Sequence, residues 1–145
     1  MMLRKEFAMS RKMIHHVCIQ TSKYEESLRF YTEILGFRLV KETANFHGRH
    51  YNTWLSLGTF MIELQTGKAG EALGRWDPMN EGITHLCFIV DNVHDEYKRI
   101  TALGYHSFKV RNGEEIYKVE DGYLFKIIAP EGTEIEMRDT QIQAP

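Results

Sequence analysis

The sequence predicts an α+β fold that consists of two copies of one βαβββ module. The first observation is an internal repeat, because the segment IHHVCI at residues 14–19 returns 69 residues later as ITHLCF at residues 83–88. The second is that each copy continues into a helical pattern that ends at a Gly-aromatic pair, Gly36-Phe37 or Gly104-Tyr105. The third is a glutamate-bearing strand pattern at the end of each copy. A repeat of this kind indicates that one supersecondary unit is used twice.

The first copy begins with an alternating, β-branched segment at residues 14–20 that is typical of a strand. Ser22 is then expected to cap a helix, with Glu25 three residues later as its capping-box partner. Apolar residues at helical spacing continue that helix as far as Gly36, whose position indicates the helix end. The remaining pattern predicts three further strands, at residues 37–43, 51–57 and 59–66.

The second copy repeats this order. A strand is predicted at residues 83–90, followed by a helix that Asn92 caps and that extends to Leu103. Three more strands are expected at residues 105–110, 123–129 and 134–138, with a turn at Asn112-Gly113. The chain then divides into a disordered extension at residues 1–12, a single domain at residues 13–140 and a tail at residues 141–145. Within the domain, the modules take residues 13–67 and 82–140, and a glycine-rich linker takes residues 68–81.

Composition excludes several classes of function. The chain has 145 residues, a net charge of −2 and an isoelectric point near 6.4, so nothing favours nucleic acid or an anionic membrane as a partner. No apolar run approaches the length of a membrane span. Two cysteines give no disulfide framework, which indicates a reduced, cytoplasmic protein. We therefore expect a cytoplasmic protein whose partner is a small molecule.

Strand alternation places four candidate metal ligands on equivalent faces. Opposite the apolar side of each strand lie His16 and Glu63 in the first copy and His85 and Glu136 in the second. A lone strand histidine is more often packed or solvated than a ligand, but two matching His and Glu strands do not arise easily by chance. Two imidazoles and two carboxylates suit a divalent cation such as Zn, Ni, Co or Mn. His15 is expected to point away from this face.

These residues resemble the vicinal oxygen chelate superfamily, which includes glyoxalase I, methylmalonyl-CoA epimerase, extradiol dioxygenases and antibiotic-resistance proteins. The resemblance covers residues 13–140 and depends most on FYTEILGF at residues 30–37 and PEGTEIE at residues 130–136. It implies that the paired modules form a cup-shaped, eight-stranded mixed sheet around one divalent metal. It implies that the ligands are His16, Glu63, His85 and Glu136. A fourth ligand from the first copy, Glu63, is closest to the pattern of glyoxalase I-like lyases and of the epimerase.

The resemblance implies a lyase or isomerase that works through a metal-stabilised enediolate on a substrate with vicinal oxygens. Glu136 or Glu63 would act as the base. A homodimer is expected by analogy. Glutathione-using relatives carry an Arg and an Asn where this chain has Gln20 and Gly67, so we expect little dependence on glutathione. Loop residues near the site are weaker candidates for substrate contacts, namely Arg49, His50, Lys118 and Tyr123.

Two other functions stay open at this point. A ring-cleaving dioxygenase of the extradiol type needs redox-active iron and open coordination positions, and a fourth protein ligand leaves fewer of these. A binding protein of the bleomycin-resistance type needs no metal, and four intact ligands argue against it.

Overall fold

The computed structural model of the protein describes residues 10–140 and 145. Most of the predicted extension at residues 1–12 and most of the predicted tail at residues 141–145 lie outside the described residues. No helix in the described part of the chain is long and apolar enough to cross a membrane.

The first module is a four-stranded mixed sheet with one short helix. Its strands follow the order β1-β4-β3-β2, with β1 parallel to β4 and the other pairs antiparallel. The elements are β1 His16–Thr21, α1 Tyr24–Arg29, β2 Arg38–Phe46, β3 Arg49–Leu57 and β4 Phe60–Thr66.

The second module has the same topology, with the order β5-β8-β7-β6 and β5 parallel to β8. Its elements are β5 His85–Ile89, α2 Val93–Ala102, β6 Ile116–Val119, β7 Gly122–Ile128 and β8 Glu134–Arg138. The predicted α+β fold of two βαβββ modules is therefore confirmed. The eight-stranded cup is not confirmed, because no strand of one sheet pairs with a strand of the other within the described residues.

The two helices begin differently. Asn92 caps α2 as predicted, since its side chain accepts a 3.0 Å hydrogen bond from the backbone N–H of Asp95. The predicted Ser22 capping box is wrong, because α1 begins after Lys23 and the Thr21 hydroxyl accepts the Lys23 N–H at 2.9 Å. Beyond α1 the chain continues as a π-helical turn over Phe30–Ile34 and stops at Gly36, whose φ of +83° favours glycine.

The second strand of the second module lies later in the chain than the sequence predicts. Residues 105–110 contribute only an isolated bridge, between Phe108 and Ile127, and the strand that pairs with β7 is Ile116–Val119. Phe108 is buried with its ring 4.7 Å from that of Tyr97 and 5.4 Å from that of Phe125. Residues 105–110 have a strand-like composition because they pack on the core. Packing on the core does not require the repeated backbone hydrogen bonds of a β-strand.

One hydrophobic core serves both modules. Phe37 and Phe60 of the first module each lie near Phe88 of the second, with ring centroids 6.0 and 6.3 Å apart. The Phe30 ring, at the end of the first helix, lies 5.0 Å from that of Tyr105. The apolar sides of the two sheets therefore face a shared interior, and their other sides, which we call the open faces, turn away from it.

Candidate functional site

The open face of the first sheet carries His16 and Glu63. Strand β1 pairs in parallel with β4, with Cys18 opposite Glu63 and His16 one pleat away, opposite Met61. The Nε2 atom of His16 lies 3.8 Å from the Oε1 atom of Glu63. The His16 side chain keeps 36% of its surface exposed and the Glu63 side chain 17%, so both groups are reachable from solvent.

The second sheet reproduces this arrangement. Cys87 lies opposite Glu136 and His85 lies one pleat away, so the offset along the strands is the same as in the first sheet. The Nε2 atom of His85 is again 3.8 Å from Oε1 of its glutamate, Glu136. The predicted equivalence of the two copies therefore extends to the side-chain geometry.

In both pairs, the imidazole uses its Nδ1 atom to contact the residue immediately before it. His16 Nδ1 lies 2.8 Å from His15 Nδ1, and His85 Nδ1 lies 3.1 Å from the hydroxyl oxygen of Thr84. The expectation that His15 points away is wrong, because β1 begins at His16 and strand alternation does not extend to His15. Each Nε2 atom is left on the side of the glutamate, so an imidazole nitrogen and a carboxylate oxygen border the same space.

The four predicted ligands come together as two pairs. In the part of the chain that the structure describes, no three His, Cys, Asp or Glu residues are grouped so that they could hold one metal ion. The reason is the shared core, from which both open faces turn away. Each chain therefore presents two half-sites.

Each glutamate also contacts a cysteine. Burial, followed by the charge of Glu63 and a hydrogen bond to it, raises the pKa of the Cys18 thiol from 9.0 to about 11. Burial, followed by a hydrogen bond to Glu136 and the charge of that residue, raises the pKa of Cys87 from 9.0 to about 12. Both cysteines are free thiols, and both stay protonated at neutral pH.

Basic side chains surround the second glutamate. Arg138 Nη1 lies 3.7 Å from Glu136, and Lys126 is the register partner of Glu136 on β7. The neighbouring Glu134 is 5% exposed and accepts a 2.7 Å hydrogen bond from Lys109. Glu134 is thus a buried, paired carboxylate. These lysines were not predictable from the sequence, because their approach depends on long-range pairing with β7.

The candidate substrate contacts lie in different places. The Arg49 guanidinium donates to Gln20 at 2.9 Å and to the Thr66 carbonyl at 2.7 Å, near the end of β1. His50 lines a separate shallow pocket beside Tyr24 at the start of α1. These two residues therefore do not lie together at the first half-site.

The other two candidates, Lys118 and Tyr123, lie on the helix-facing side of the second sheet. Lys118 shares its strand face with Ile116, which packs against the core, and the Tyr123 ring contacts His94 of α2 at 4.8 Å. The structure does not bring either residue to His85 and Glu136.

A cavity of about 300 Å³ lies between the edge strands β1 and β5. Its lining includes Cys18, Gln20 and His85, together with Arg75 and Trp76 of the linker. Gly67, immediately before the linker, is packed closely, since a Cβ there would lie 3.1 Å from Leu73. The linker therefore occupies the space beside β4 into which a larger residue at position 67 would project.

Comparisons with known proteins agree with this architecture. The family model described as Glyoxalase/Bleomycin resistance protein/Dioxygenase superfamily matches residues 13–137. The chain is 33% identical over 102 residues to the uncharacterized protein YwkD of Bacillus subtilis (strain 168). The aligned region covers 69% of this chain and 78% of that protein.

Two solved structures show the same fold. A glyoxalase family protein from Enterococcus faecalis is 25% identical, with a TM-score of 0.70 and coverage of 88% of this chain and 98% of that one. The fosfomycin resistance protein FosX from Listeria monocytogenes, solved with Mn(II) and sulfate, is 14% identical, with a TM-score of 0.65. The match covers 92% of this chain and 96% of that one.

Proposed function

The chain belongs to the Glyoxalase/Bleomycin resistance protein/Dioxygenase superfamily, and from this membership we propose that it is a divalent-metal-dependent lyase or isomerase of the glyoxalase I-like type. Its substrate is a small molecule with two vicinal oxygens. The observation that carries this proposal is the pair of matching half-sites, His16 with Glu63 and His85 with Glu136, each with 3.8 Å between imidazole nitrogen and carboxylate oxygen.

The donor set fits a divalent cation. Two donors that share an ion at roughly 2.0–2.2 Å each can lie no more than about 4.4 Å apart. The 3.8 Å separation in each half-site is within that limit. Imidazole nitrogen and carboxylate oxygen suit Zn, Ni, Co or Mn. FosX, which shares the fold, was solved with Mn(II), and this supports a divalent cation as the group that the half-sites bind.

A second copy of the chain completes the site. Because both open faces turn away from the shared core, four ligands reach one ion only if a half-site of one chain meets the other half-site of another chain. Strands β1 and β5 are edge strands with one side unpaired, and several apolar residues beside them are largely exposed. These residues are Met13, Ile14, Ile83 and Ile89. A homodimer that covers this surface would bury them and join the half-sites.

When bound, the cation supplies Lewis acidity, which stabilises negative charge on the substrate's vicinal oxygens. The chain's own carboxylates then remove and return the proton. Glu136, whose side chain is only 7% exposed, accepts a proton from a carbon next to the carbonyl in this proposal. Glu63 holds the matching position in the other half-site and can return a proton at the neighbouring carbon. His16 and His85 hold their orientation through Nδ1, so their role is binding and not proton transfer.

Glutathione is not required for this activity. Gln20 stands where glutathione-using relatives have an Arg, and its side chain is already engaged by Arg49. Gly67 stands where they have an Asn, and the linker residue Leu73 packs against it. The two polar contacts of a glutathione carrier are therefore absent from the positions that would supply them.

Metal analysis tests the proposal. Protein purified without chelators should carry a divalent cation by mass spectrometry, and His16→Ala and His85→Ala should each lose it. His106→Ala, outside both half-sites, is the matched control and should keep it. If both ligand variants retain the full metal content of the unmodified protein, the assignment is wrong.

A further inference from the structure

The two open faces differ at one equivalent position. On the first sheet, the β3 residue opposite Glu63 is Trp54, whose ring lies 4.8 Å from that of His16. On the second sheet, the β7 residue opposite Glu136 is Lys126. The glutamates are equivalent, so the site that they form has an aromatic side and a cationic side.

Lys126 has a charge that its own chain leaves largely unmatched. Its side chain is 20% exposed, and its ammonium lies 3.9 Å from Glu134, beyond hydrogen-bond distance. Lys109 already donates to Glu134 at 2.7 Å. Within the described residues, Lys126 makes no hydrogen bond through its side chain. A mostly buried ammonium that lacks a hydrogen-bond acceptor is stabilised by a nearby anion.

Arg138 shows the same incomplete pairing. Its guanidinium lies 3.7 Å from Glu136 without a hydrogen bond, and its buried Nε atom has no partner among the described residues. When Glu136 ligates a cation, its negative charge is shared with that ion, and Arg138 and Lys126 lose part of their compensation. The assembled site therefore becomes more positive beside these two residues.

The charged side chains on this face favour an anionic group on the substrate. Three basic side chains, Lys109, Lys126 and Arg138, face two carboxylates, Glu134 and Glu136. One positive charge remains, in a chain whose net charge is −2. A substrate carboxylate beside these side chains would offset that excess, which a bound cation increases further.

We infer that the substrate carries a carboxylate in addition to its vicinal oxygens, and that Lys126 and Arg138 bind this carboxylate. The aromatic side of the site, at Trp54, then receives the apolar part of the same molecule. This inference rests on the proposed function, because it assumes that the vicinal oxygens occupy the site at Glu136.

Two hydroxamates that differ by one carboxylate test the inference. Acetohydroxamate offers vicinal oxygens alone, and succinate monohydroxamate offers the same oxygens with a carboxylate. The probes are titrated into cobalt-loaded protein, and the visible spectrum of the cobalt reports binding. The unmodified protein should bind succinate monohydroxamate at least about tenfold more tightly, because a charge-assisted hydrogen bond contributes at that level.

Variants assign the preference to its residues. Lys126→Met and Arg138→Met should each lose most of the preference and keep their affinity for acetohydroxamate, whereas Lys126→Arg, which retains the positive charge, should keep it. Lys98→Met, on the exposed side of α2, is the matched control. Thermal unfolding of each variant verifies that it is folded.

The outcomes separate this inference from the proposed function. If the protein gives no cobalt spectrum, or if acetohydroxamate leaves the spectrum unchanged, the proposed metal site is wrong and the inference fails with it. If acetohydroxamate binds but both probes bind equally, the metal site holds and only the carboxylate inference is overturned. A preference that survives in both methionine variants would also overturn it.

Discussion

The hydroxyl of Tyr31 donates a 2.9 Å hydrogen bond to Oε2 of Glu131. Tyr31 lies in the π-helical turn of the first module, and Glu131 lies in the hairpin turn of the second. Ser27 donates to the other carboxylate oxygen, also at 2.9 Å. Burial, followed by the charge of Glu131, raises the pKa of Tyr31 well above its ordinary value, so the phenol stays a donor. This contact ties the two modules together.

Removing the carboxylate should therefore destabilise the whole chain. Tyr31 is fully buried, and Glu131→Ala removes the carboxylate to which its hydroxyl donates. The expected loss is about 1–3 kcal/mol of unfolding free energy, measured by urea denaturation. In the Tyr31→Phe background, which lacks the donor, the same change should cost clearly less. Fully additive losses would show that the two side chains are not coupled.

The thiols beside the glutamates should react slowly. The raised pKa values of Cys18, about 11, and Cys87, about 12, leave little thiolate at pH 8. In metal-free protein, both should alkylate with iodoacetamide at least about tenfold more slowly than free cysteine, and the rates should rise as pH increases toward those values. Peptide mass spectrometry measures each site separately.

The two glutamates provide crossed controls for this result. Glu63→Gln removes a charge that raises the pKa of Cys18, so it should accelerate alkylation of Cys18 and leave Cys87 unchanged. Glu136→Gln should do the reverse. If either substitution accelerates both thiols equally, the reactivity is governed by general unfolding and not by the local carboxylate.

The raised thiol pKa values also predict how stability depends on pH. Below pH 9, both cysteines are protonated in the folded and the unfolded chain, so the stability that their raised pKa values contribute is fully present. Above pH 9 the unfolded thiols ionise first, and the folded state loses stability as pH rises through about 11 and 12. In the Cys18→Ala/Cys87→Ala double variant, the fall in unfolding free energy above pH 9 should be smaller. An unchanged fall would assign it to other groups.

The Nδ1 contacts should govern cation affinity. His15 and Thr84 hold the imidazoles of His16 and His85 so that Nε2 faces a carboxylate. His15→Phe and Thr84→Val should each weaken cobalt binding by roughly tenfold or more, in the range known for such supporting contacts. Competition against a chelator measures this affinity.

A conservative substitution separates orientation from general damage. Thr84→Ser keeps the hydroxyl that contacts His85 Nδ1 and should retain cobalt affinity close to that of the unmodified protein. Equal loss in Thr84→Ser and Thr84→Val would contradict an orienting role for the hydroxyl.

The sequence was sufficient to predict the local geometry of each half-site. Strand alternation assigned His16 and Glu63 to the same face of their sheet. The repeat assigned His85 and Glu136 to the equivalent face of the second sheet. Alternation needs only neighbouring residues of one strand, and the repeat needs only a match between the two copies. How the two modules pack was not predictable in the same way. Alternation says which side of a strand is apolar, but it does not say that both apolar sides share one core.

Two other features depend on long-range pairing. Lys126 approaches Glu136 only through the register between β7 and β8, which hydrophobic patterning leaves undetermined. The strand predicted at residues 105–110 was misplaced because the apolar neighbourhood of the buried Phe108 looks like a strand in sequence, whereas β6 is Ile116–Val119. His15 was misassigned for a smaller reason, since it lies one residue before the strand begins.

Complementation between two inactive variants is the most direct test that two chains share one site. His16→Ala/Glu63→Ala and His85→Ala/Glu136→Ala chains, each with a different tag, are co-expressed, and the heterodimer is isolated by sequential affinity steps. Metal is then counted by mass spectrometry. We expect one ion per heterodimer and none in either parent homodimer, because one of the two heterodimer sites regains all four ligands. A heterodimer that forms but holds no ion would contradict it.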